Sequence, residues 1–133
     1  DLAPLKGENR MLVKAGLEKI RRQPRQGVYS LAQVARLDLA KFDAGNIGFG
    51  LGPRLNAAGR LDSALTALEL LTTEDLYRAG ALAQELESQN SQRQDMTRLI
   101  REQAANQVLS KNPDALLFFA ADPDFSGFDR SLA

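Results

Sequence analysis

The sequence contains no cysteine, no histidine and no tryptophan. The first absence excludes disulfides, thiolate metal ligands and thiol nucleophiles together, and it suits a reducing compartment. Without histidine the commonest general base and transition-metal ligand is missing, so a serine or threonine nucleophile would need a lysine or carboxylate partner, and none stands in a recognisable motif. No apolar run approaches the roughly 20 residues of a membrane span and nothing at the start reads as a signal peptide, so a cytoplasmic protein with no membrane partner is expected. There is no excess of either charge, since 17 lysines and arginines balance 17 acids. Any attraction for nucleic acid must therefore come from local clusters.

What remains is a globular composition, 44% hydrophobic and 26% charged over 133 residues, arranged mainly with helical spacing. Residues 1–5 read as extended, and Lys6-Gly7 as a turn. A first helix then carries Leu12, Val13, Gly16, Leu17 and Ile20 on one face, with Arg10, Lys14, Lys19 and Arg21 outward. It should fail in a polar loop bracketed by Pro24 and Gly27. The apolar pattern resumes at Val28, and a second short helix capped by Ser30 is expected to end near Asp38, followed by a segment opened by Asp43 or Ala44 and running to Leu51. Gly45, Gly48 and Gly50 weaken that segment, so it needs tertiary contacts to hold its shape. Leu65, Leu68, Leu70 and Leu71 predict another helix ending at Thr72-Thr73, with Thr73 as N-cap of the next. From Glu74 to about Lys111 only Gly80 interrupts a helix-forming composition. Its apolar seam comprises Leu76, Ala79, Ala83 and Leu86, then Met96, Ile100, Ala104 and Val108, with polar Asn90 and Arg93 between. Apolar ends and a polar middle suit a connector whose ends dock on different bodies better than a coiled-coil arm. The apolar run 115–121 after Pro113 reads as one short buried strand. Asp122 and Asp124 lack a third ligand and read as a solvated turn.

The chemistry-bearing residues concentrate between 51 and 62. Pro53 has no amide donor and disfavours the helical region at Gly52, while Gly52 and Gly59 permit unusual backbone angles, so a sharp turn is expected. Arg54 and Arg60 carry planar cationic forks suited to paired phosphate oxygens, and Asn56 both donates and accepts, which makes all three candidate phosphate-binding residues. The competing interpretation is a helix connection whose arginines pair with acids such as Asp62 or Glu69.

The block Gly48-Phe49-Gly50-Leu51-Gly52-Pro53-Arg54-Leu55-Asn56-Ala57-Ala58-Gly59-Arg60 resembles a motif of the single-strand-specific exonucleases of the Asp-His-His (DHH) phosphoesterase family. The likeness extends upstream through residues 1–10 and downstream to Leu70-Leu71-Thr72-Thr73 and Leu86-Glu87-Ser88-Gln89-Asn90, covering roughly residues 1–120. It implies a mainly α chain: residues 1–72 as the helical C-terminal part of a DHH catalytic domain, 73–112 as a long connector helix, and 113–133 as the truncated start of a second, DHHA1-like domain. Residues 128–133 depart from the family's pattern there. The resemblance further implies a metal-dependent 5′→3′ exonuclease acting on single-stranded DNA in repair and recombination, with Mn2+ or Mg2+ in the full-length protein. The Asp and His blocks that hold such metals are missing here, so this piece is expected to be internal, to bind no metal itself and to be inactive alone. Gly52, Pro53 and Gly59 would shape the motif; Arg54, Asn56 and Arg60 would hold a phosphate or pin the cleft wall. A non-catalytic helical interaction module is the alternative. In either case Leu99, Ile100, Val108 and Leu109, with Leu116, Leu117, Phe118 and Phe119, would favour self-association if left uncovered.

Overall fold

The computed structural model describes residues 3–57 and 61–109; the side chains of 61–63 and 107–109 lie outside that description. Among the described residues five α-helices run α1 (Gly7–Arg22), α2 (Gln26–Val34), α3 (Gly52–Ala57), α4 (Leu61–Thr72) and α5 (Leu76–Leu109), with a 3-10 turn at Leu39–Lys41 and a π-helical turn at Asn46–Leu51 between α2 and α3. No strand occurs among the described residues. The strand expected at 115–121 and the Asp122-Asp124 turn lie outside them. The chain divides into two compact units, Asp1–Asn90 and Ser91–Ala133.

Local chemistry explains most boundaries. Gly7 takes a left-handed φ of 52°, and the chain turns there into α1. Helix α2 starts at Gln26, ahead of the expected cap, so Ser30 is a buried residue within it rather than its N-cap. It also stops earlier than expected, at Val34 instead of near Asp38. Arg36 adopts φ 55°, and the amide of Leu37 donates back to the Ala32 carbonyl at 2.9 Å, a Schellman-type closure. At α5 the N-cap is Asp75 and not Thr73: the amide of Arg78 donates to Asp75 Oδ1 at 2.7 Å, while Thr73 Oγ1 accepts from the amide of Asp75 at 3.2 Å.

In the first unit the core is Leu31, Ala32, Phe42, Leu51, Leu70, Ala79, Leu82, Ala83 and Leu86, all buried, with Leu17, Ile20, Val28 and Leu55 among those packed against it. Helix α1 buries no residue completely, and Leu12, expected on its inner face, is exposed. It is tied down by Arg21, whose Nε donates to the Phe42 carbonyl at 2.7 Å. Gly27, expected to bracket a loop, is instead buried in α2, where its missing side chain lets the helix touch the backbone of α4 at Leu70. The first half of the α5 seam is buried at Ala79, Ala83 and Leu86, joined by Leu82, but Leu76 is exposed. Asn90, read as an interruption, is only 1% exposed. In the second unit Met96 and Leu99 are exposed.

Helices α4 and α5 are also bridged at the surface, where Arg78 Nε and Nη2 donate to the two carboxylate oxygens of Glu69 at 2.5 and 2.7 Å. These hydrogen bonds outweigh a desolvation penalty and, with a lesser contribution from the guanidinium charge, hold the Glu69 carboxyl below its ordinary range. A depressed carboxyl stabilises the fold above its unfolded value of about 4.3, and that contribution disappears as pH falls through the folded value. The difference in melting temperature between the natural chain and Glu69→Gln should therefore be present at pH 7 and close toward pH 3. A difference that persists unchanged at pH 3 would contradict this pairing. Exposure keeps the effect small.

Candidate functional site

The candidate site lies where the π-helical turn passes into α3. Asp43 and Asn46 open it by exchanging bonds, each amide donating to the other's side-chain oxygen, at 2.9 and 2.8 Å. The amide of Gly52 then reaches back five residues to the Ile47 carbonyl, giving the wide turn that recurs at functional positions. Gly50 is buried against Leu37, with space for no Cβ unless the Leu37 side chain moves.

Gly52 has φ −53° and ψ −50°, so the backbone stays helical through Gly52-Pro53 and the expected sharp turn is not formed. Pro53 directly follows the π turn inside that helical run, so its missing amide leaves one position of the hydrogen-bond ladder without a donor. The bias of a proline against a helical predecessor is overridden here by the wide turn that precedes it.

Arg54 projects from α3 to α5. Its Nε and Nη2 donate to the two oxygens of Glu87, the latter at 3.1 Å, and Nη1 donates to the Gly50 carbonyl at 2.7 Å. Both side chains are largely withdrawn from water, 15% exposed for Arg54 and 30% for Glu87. The two-pronged face of the guanidinium is thus filled by a carboxylate, the same geometry a phosphate would use. Pairing with an acid was anticipated, but not with this one: Glu69 is engaged by Arg78. Asn56 is exposed and two residues further along α3, and residues two apart on a helix do not face each other, so Arg54 and Asn56 do not converge on one point. Arg60 and Gly59 lie outside the described residues.

Glu87, the partner of Arg54, is the side chain that the reading from residues left without a role. The family resemblance at Leu86-Glu87-Ser88-Gln89-Asn90 was its only signal. No group of three or more His, Cys, Asp or Glu among the described residues could hold a metal ion, so they do not fit a two-metal centre. No helix among them is long and apolar enough to cross a membrane.

An arginine–carboxylate clamp joining a motif helix to a long helix defines a helical segment, and comparison with known proteins gives its class. The curated relatives are all named single-stranded-DNA-specific exonucleases. The chain belongs to the RecJ family. It is 38% identical to the RecJ of Bacillus subtilis (strain 168) over 114 residues, 86% of this chain and 14% of that protein. With the RecJ of Thermus thermophilus it shares 36% over 124 residues, 93% of this chain and 18% of the other. A crystal structure of the Thermus thermophilus RecJ in complex with Mn2+ matches at a TM-score of 0.69 and 38% identity, over 80% of this chain and 16% of that one. A structure of exonuclease RecJ bound to manganese matches at 0.73 and 36%, over 92% and 30%. The chain spans less than a fifth of the length of these curated relatives. No protein-family profile matches it.

Proposed function

We propose that this chain is the helical segment of a RecJ-like, single-stranded-DNA-specific 5′→3′ exonuclease that works in DNA repair and recombination. In this reading residues 1–72 complete a DHH catalytic domain, 73–112 connect it to a second domain that begins at 113–133, and Mn2+ or Mg2+ is held by residues of the longer protein outside this segment. When bound, the metal would supply an activated water and charge stabilisation at the scissile phosphate. The observation that supports the reading best is the match of this helical segment, at 36 to 38% identity, to RecJ structures bound to Mn2+ and Mg2+. A stand-alone interaction module is not favoured by relatives that are named as exonucleases.

The segment's contribution follows from its geometry. Arg54, its fork occupied by Glu87, pins the motif helix to the connector. Exposed Asn56 is left to offer donors to a phosphate, the role that the family motif also implies for Arg60.

Two assays on one substrate test the proposal. The whole protein that carries this segment should degrade 5′-labelled single-stranded DNA in the presence of Mn2+ or Mg2+, and the 133-residue chain alone should leave it intact. Failure of the whole protein, or a preference for duplex DNA, would refute the assignment.

A further inference from the structure

Electrical neutrality conceals a strong asymmetry. Residues 1–36 hold eight lysines and arginines against three acids, and residues 37–133 hold nine against fourteen. Within that segment α1 and the turn after it, residues 7–25, carry six lysines and arginines against two acids. There Arg10, Lys14 and Arg21 line one groove of about 230 Å³ together with Leu5, Val13 and Leu17. At 3.6 residues per turn the three cations fall within a sector of about 40° and span about 16 Å along the axis. No acid lines the groove. Of the two acids on α1, Glu18 is paired with Arg22 at 2.6 Å. Arg10 and Lys14 enter none of the ion pairs among the described residues, and both are exposed. The Nε bond from Arg21 to the Phe42 carbonyl anchors that side chain and leaves its Nη groups to donate.

We propose that this face of α1 is a track for the phosphodiester backbone of single-stranded nucleic acid, separate from the Arg54 clamp. Spaced cations match the periodic charge of a backbone, and the apolar floor of Leu5, Val13 and Leu17 accommodates unstacked bases without reading their identity. The groove has no aromatic residue, so stacking contributes little and binding is mainly electrostatic. The choice of a nucleic-acid occupant rests on the exonuclease reading; the location rests on the charges.

The test is fluorescence anisotropy of a labelled oligo(dT) with the 133-residue chain across a salt series. Three neutralised phosphates on a single strand give a slope of log K against log salt of about −2, and the Arg10→Gln/Lys14→Gln variant should fall to about −0.7. An Arg98→Gln/Arg101→Gln variant, which removes two cations from α5, should keep the slope of the natural chain. Far-UV circular dichroism confirms that the variants remain folded. An unchanged slope in the α1 variant overturns the track, as does competition by polyglutamate as effective as that by unlabelled oligo(dT). The whole-protein nuclease assay is independent of both results, so loss of the track and loss of the exonuclease assignment are distinguishable.

Discussion

Gly27→Ala should unfold or severely destabilise the first unit. A Cβ at position 27 would stand 1.7 Å from the Leu70 carbonyl oxygen and 2.6 Å from its carbon, both backbone atoms of α4. Neither can move without shifting a helix whose Leu70 side chain is wholly buried. Overpacking commonly costs about 1 to 3 kcal/mol where side chains can yield, and a backbone clash at this distance should exceed that range. Gly50→Ala is the informative contrast. Its Cβ would meet Leu37 Cδ1 at 2.7 Å, the mobile end of a side chain, so a rotamer change relieves it. Gly16→Ala and Gly80→Ala meet nothing within 4 Å inside α1 and α5 and should stabilise by up to about 1 kcal/mol through helix propensity. Urea melts of the four variants give the order. A Gly27→Ala chain within 1 kcal/mol of the natural one, roughly the helix-propensity gain itself, would mean that α2 and α4 do not touch as described.

Arg54→Ala should cost about 2 to 3 kcal/mol of stability. It leaves the Glu87 carboxylate partly buried without its cation, and breaking a fully buried pair costs about 3 to 5 kcal/mol, less where water still reaches. Glu87→Ala should cost a similar amount. The two changes together should cost clearly less than their sum, because the pair is one interaction. Replacing both by apolar residues, Arg54→Met with Glu87→Leu, should recover much of the loss. The same variants in the whole protein separate pinning from phosphate holding. If Arg54 pins α3 to α5, Glu87→Gln lowers melting temperature and nuclease activity together. If Arg54 serves a phosphate, Glu87→Gln frees its fork and tightens substrate binding, an outcome that would refute the pinning role.

Much of the helical framework was legible in residue order because its causes are local. The spacing of Leu17 and Ile20 in α1, and of Ala79, Ala83 and Leu86 in α5, reports a periodicity of 3.6 that needs no partner to be recognised. Boundaries were less legible where two residues could perform the same task. Thr73 and Asp75 are both capable caps, and the choice depends on which one faces the amide of Arg78. The end of α2 lay in plain sight beside Arg36, but an arginine is not the glycine that usually announces a left-handed closure.

By itself the sequence determined the helical class, the absence of a histidine or thiol centre, and a motif specific enough to indicate an exonuclease family. Tertiary structure decided what the motif's residues touch. Glu87 stands 33 residues from Arg54, and nothing in local spacing selects it over Asp62 or Glu69. Gly27 reads as a loop breaker until α4 is laid across it. The π turn before Pro53 likewise depends on packing, because shifting a hydrogen bond from the fourth to the fifth residue back changes no side-chain pattern that a sequence displays. Periodicity and motif spacing are properties of neighbours along the chain, whereas ion pairs and close backbone approaches exist only once distant segments meet.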